Sequence, residues 1–178
     1  MINFPHHEFD KIEEISNTIN LEKEDLIHKS FIFDPEQLKQ LKVKTIENGD
    51  LAKCSSFEAL VALTWKMRTR ALSLHPNQRM KLLFPVDGRS RFDPPIPHGY
   101  FGNCVVFISW CKLAFDTTDF GWGVPHVSGL ASSAESKEII MFLAHGSDRK
   151  SINVLVGLPA SAMKIFEELM TDVELWLP

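Results

Sequence analysis

Cysteine is scarce: Cys54, Cys104 and Cys111 are the whole supply in 178 residues. Three is an odd number, and their spacing matches no metal-ligand pattern. That fits a reducing compartment, with the cytosol expected, better than a disulfide scaffold. Positive charge is not in excess either, with 19 Lys and Arg against 23 Asp and Glu and a formal net charge of −4. Nucleic acid and anionic membrane need basic surface, so neither is expected as a partner. No apolar run reaches the roughly 18–20 residues of a membrane-crossing helix. The opening residues, Met1 to His7, lack the basic and apolar regions of a signal peptide. Internal repeats and low-complexity tracts are also missing. What remains is ordinary globular composition, 44% hydrophobic and 24% charged, at a length suited to one domain.

Residues 1–25 are polar and acidic, without a sustained period of 3.6 or 2, and read as a linker. Leu26 to Phe33 predicts a strand. Asp34-Pro35 then predicts a helix start, because Asp34 can accept from orphan N–H groups and Pro35 suits the first helical position. This helix should run through Leu38, Leu41 and Val43 to Gly49. Ser55 and Glu58, three apart, form a capping-box pattern that opens a second helix. Its inward stripe is Leu60, Leu63, Thr64, Met67 and Ala71. Met80 to Val86 predicts a buried strand, followed by a turn-rich loop from Asp87 to Pro97. At least one strand is expected within Val105 to Phe115, and two more at Glu138 to Ala144 and Ser151 to Leu158. A last helix opens at Pro159-Ala160, with Met163, Phe166, Leu169 and Met170 inward. Strands and helices mix without strict alternation. The predicted class is α/β of the α+β type: a mixed β-sheet flanked by helices.

Two strings carry the sharpest local chemistry. Asp119-Phe120-Gly121-Trp122-Gly123 contains the Asp-Phe-Gly of protein kinases, but the Gly-rich loop, strand lysine and His-Arg-Asp loop that should precede it are missing. The physical reading is a tight turn. Its glycines take backbone conformations closed to other residues, Trp122 anchors it, and a buried Asp119 needs a cationic partner. The second string, Asp87-Gly88-Arg89-Ser90-Arg91, sets two arginines on a constrained loop. They suit either a bound phosphate or carboxylate or a structural ion pair, with the ion pair preferred.

Ser-Ser-Phe-Glu-Ala-Leu, Asp-Gly-Arg-Ser-Arg, Gly-Tyr-Phe-Gly-Asn and Asp-Phe-Gly-Trp-Gly occur here in the order found in the plant BAHD acyl-CoA acyltransferases, and the last is that family's signature. The text around it, including His145-Gly146 and Lys150 to Val154, resembles the branch that feruloylates ω-hydroxy fatty acids and fatty alcohols, the chemistry of suberin. The resemblance runs from about Phe4 to Met170. It implies one lobe of a two-lobed chloramphenicol-acetyltransferase-like fold. It also implies transfer of a hydroxycinnamoyl group from coenzyme A to an alcohol. The coenzyme A thioester is then a substrate and not a bound cofactor, no metal is involved, and the protein is a monomer acting on small molecules. Asp119 is implied to bridge to a loop arginine, Arg89 or Arg91. Trp110 is implied to face the acceptor, with a core packing role left equally open, while Ile108 replaces a threonine expected two residues earlier.

The pattern departs from the family in two places. The general base implied by the resemblance is the histidine of an H-x-x-x-D-G motif in a first lobe, and this chain resembles only the crossover linker (1–25) and the second lobe (26–178). Several tens of residues that the family carries between Gly-Tyr-Phe-Gly-Asn and the signature are also missing, so a deletion is expected between Asn103 and Asp119. His6 and Asp10 match H-x-x-x-D by spacing, but Lys11 stands in place of the glycine and the surroundings are polar. A positioned base with a tuned pKa is not expected there. The catalytic set is accordingly empty, with His6 a weak candidate. Ser55 and Ser56 suit either a coenzyme A phosphate at a helix N-terminus or simple capping, and capping is preferred. His75, His98, His126 and His145 show no paired metal spacing. Three readings stay open: the second lobe of an acyltransferase, an inert module binding acyl-CoA or acceptor, and a product that does not fold. The missing residues are expected to leave one face of the sheet under-covered.

Overall fold

A computed structural model describes residues 24–47, 52–80, 82, 107–109, 121, 123, 140–146 and 148–172, with backbone only for 107–109. The chain runs β1 (Leu26–Phe33), α1 (Pro35–Glu47), α2 (Ser56–Ala71), β2 (Phe107–Ser109), β3 (Ile140–His145), β4 (Ser151–Pro159) and α3 (Ala160–Thr171). The strands form one sheet in the order β1-β4-β3-β2. β1 and β3 flank β4 antiparallel, and β2 joins β3 parallel, so the sheet is mixed as its unalternating sequence predicts.

Alternation along the strands decides which face carries the core. Phe33, Val154, Val156, Ile140 and Phe142 stand on one face and are buried together with α2 and α3 residues. The helices meet that face with the residues their period predicts. α2 buries Leu60, Leu63, Thr64, Met67 and Ala71, and α3 buries Met163, Phe166 and Met170. Thr64 is the polar member of this core, and its hydroxyl donates to the Leu60 carbonyl at 2.6 Å, so its burial costs little. Two edge-on aromatic pairs tie layers together. Phe31 meets Phe166 at 5.3 Å between β1 and α3, and Phe57 meets Phe142 at 5.6 Å between α2 and β3.

The helix ends are locally specified. At α1, Asp34 Oδ1 accepts from the Gln37 N–H at 2.8 Å and Gln37 Oε1 accepts from the Asp34 N–H at 3.0 Å. The aspartate alone is foreseen above; its glutamine partner completes a reciprocal box. α2 ends in a Schellman turn: the Leu74 N–H donates to the Thr69 carbonyl and the Ser73 N–H to the Arg70 carbonyl. Ser73 takes φ +49° there, a region that favours glycine. Ser73→Gly should therefore raise stability by about 0.4–1 kcal/mol, read as a higher denaturant midpoint with an unchanged m value. A lowered midpoint would show that the serine side chain contributes more than its backbone strain costs.

One predicted element lies largely outside the described residues. Met80 and Leu82, the described residues of the strand expected at Met80 to Val86, carry no strand, and Leu82 is exposed rather than buried. Met80 instead lies back on α2, where its sulfur is 3.9 Å from the Thr69 hydroxyl.

Candidate functional site

The N-terminus of α2 opens onto a groove of about 560 Å³ lined by Ser55, Phe57, Glu58, Val61, Ala62, Trp65 and Leu82. The helix faces the core with one stripe and this groove with the next, which explains why Trp65 falls beside the predicted inward positions. At its mouth the capping box is complete. Ser55 Oγ accepts from the Glu58 N–H at 3.2 Å, and Glu58 Oε2 accepts from the Ser55 N–H at 2.8 Å. A carboxylate thus already occupies the end of the helix that would attract a phosphate, so Ser55 serves as a cap.

Hydrogen bonding from Ser55, chiefly its side chain, holds the Glu58 carboxyl below the ordinary carboxylate range. The sign follows directly. The carboxylate's contribution is complete above the unfolded glutamate pKa of about 4.3 and is lost as pH falls through the lower folded value. Ser55→Ala should cost about 1 kcal/mol, measured by denaturant titration at neutral pH. Part of that difference should shrink in acid, where the Glu58 half of the box has already been protonated. Beside the cap, burial and then the Glu58 charge push the Cys54 thiol up. Cys54 is held as a thiol and is no activated nucleophile.

The signature turn enters the description through its glycines. Gly121 takes φ +91° and Gly123 φ +97°, and an added Cβ at either would meet no atom within 4 Å. Backbone conformation, not crowding, asks for glycine at both. His6, Arg89, Arg91, Trp110, Asp119, Phe120 and Trp122 lie outside the described residues, as do the expected Asp119–arginine bridge and His98 and His126. β2 ends at Ser109, immediately before Trp110, with Ile108 paired to Met141. Met141 is buried on the face of the sheet opposite the helices. The same face carries Asn153, whose Oδ1 is buried without a hydrogen-bond partner among the described residues. Gly157, also on it, is overlain by the His28 imidazole, with Nε2 2.7 Å from where a Cβ would stand. The alternation of β4 foretells the face these residues occupy, but nothing in their spacing singles out Asn153 or His28. Among the described residues no three His, Cys, Asp or Glu side chains cluster to hold a metal ion. No described helix is long and apolar enough to cross a membrane.

A sequence model of the Transferase family matches residues 1–108 and 104–173. The chain belongs to this family, the BAHD acyltransferases. It is 38% identical over 228 aligned positions to omega-hydroxypalmitate O-feruloyl transferase of Arabidopsis thaliana, covering 94% of this chain and 50% of that protein. It is 39% identical over 226 positions to fatty alcohol:caffeoyl-CoA acyltransferase of the same plant, covering 95% and 52%. The chain thus spans about half the length of the curated relatives it matches. Among solved structures, vinorine synthase superposes with a TM-score of 0.60 at 19% identity, over 86% of this chain and 48% of that one. That likeness supports the chloramphenicol-acetyltransferase-like α+β fold.

Proposed function

We propose that this chain supplies the second lobe of an acyltransferase that moves a feruloyl-type group from coenzyme A to a long-chain alcohol such as an ω-hydroxy fatty acid. The observation that carries the proposal is the 38–39% identity, over nearly the whole chain, to relatives named for feruloyl or caffeoyl transfer to fatty acceptors. In that reaction the acceptor oxygen bonds to the thioester carbonyl carbon and the C–S bond breaks. Coenzyme A leaves as its thiol, and the hydroxyl proton passes to a base. The donor is a substrate, so no resident cofactor is needed, and the scarcity of cysteine suits a cytoplasmic site. Trp110, directly after β2, is the residue proposed to face the acceptor. Arg89 or Arg91 is proposed to hold Asp119 under the signature turn.

The reading includes an internal deletion between Asn103 and Asp119. The family match comes in two stretches that meet at 104–108. Moreover, 94% of 178 residues is about 167, so about 60 of the 228 aligned positions face no residue of this chain. Residues 1–25 are then the remnant of a crossover linker and 26–178 the shortened lobe.

A chimera tests the function. The half of the Arabidopsis feruloyl transferase that this chain does not match is joined to the chain, and the missing positions are restored from the same relative. Thiol release from feruloyl-coenzyme A with a long-chain ω-hydroxy acid is expected. A chimera that folds but prefers acetyl-coenzyme A or short alcohols would overturn the substrate assignment.

A further inference from the structure

We draw no further inference here: the strongest candidate, the sheet face turned away from the helices, where the buried Asn153 Oδ1 has no hydrogen-bond partner among the described residues and the His28 imidazole lies over Gly157, carries nothing because nothing in the structure shows what covers that face.

Discussion

Replacing Phe166 by alanine should cost about 3–5 kcal/mol, the range of large aromatic truncations in well-packed cores. Phe166 is fully buried on α3, and its ring meets Phe31 of β1 edge-on. The substitution therefore removes buried apolar area, opens a cavity between two layers and breaks the aromatic pair that fastens the edge strand to the helix. Domains of this size hold only about 5–15 kcal/mol in total, so a substantial share of the margin should go. The measurement is a denaturant midpoint with an unchanged m value. Ile165→Ala is the control: Ile165, next in sequence to Phe166, is 41% exposed, and its truncation should change stability by no more than about 0.5 kcal/mol. Equal effects at 165 and 166 would mean that α3 does not present the face described.

That the two positions can be told apart at all shows how the fold is written in the chain. The helices are legible because their buried stripes recur every three or four residues, and the N-termini of α1 and α2 also carry side-chain caps. The Ser55–Glu58 pair is visible as letters three apart, whereas at α1 the sequence points to Asp34 alone and Gln37 joins it only in the structure. β1, β3 and β4 are legible because apolar runs of strand length are bounded by turn residues. Of the strand expected at Met80 to Val86 only Met80 and Leu82 are described, and neither lies in a strand. A short apolar run looks the same whether it joins a sheet or lies on a helix, and Met80 lies on α2. The Schellman turn escaped notice because it rests on backbone hydrogen bonds and a serine at positive φ, with none of the glycine that usually marks such a turn.

The candidate site is legible in a different way. No periodicity points to Asp119 to Gly123; the string stands out as a family signature, and the positive φ of Gly121 and Gly123 gives its glycines a physical reason. The capping role of Ser55 needed the structure, because the same serine suits a bound phosphate until Glu58 is seen to occupy the helix end. The setting of Asn153 arises from pairing between strands distant in sequence, and Lys29 has its partner 138 residues away. Such features exist only once register is known.

The isolated 178-residue chain should show no acyl transfer, although it belongs to an acyltransferase family. Transfer to an alcohol needs a base within hydrogen-bond reach of the acceptor oxygen, and such a base typically supplies about 10²–10⁴-fold in rate. The resemblance puts that base on an H-x-x-x-D-G motif, and the His6–Asp10 spacing here runs into Lys11 where the motif has glycine. Covalent catalysis through Cys54 is no substitute, because burial and the neighbouring Glu58 keep it a thiol. Binding both substrates in a cleft between two lobes can supply up to about 7–11 kcal/mol through proximity, and this chain spans half the length of its relatives. The losses compound, so thiol release from feruloyl-coenzyme A with a long-chain ω-hydroxy acid should stay at the uncatalysed background. Turnover that disappears in His6→Ala would make His6 the base after all. Turnover that survives His6→Ala would require another base in this lobe. Background rates from the chain, set beside turnover by the restored chimera, would place the missing chemistry in positions this sequence lacks, either the unmatched half of the relatives' length or the stretch absent between Asn103 and Asp119.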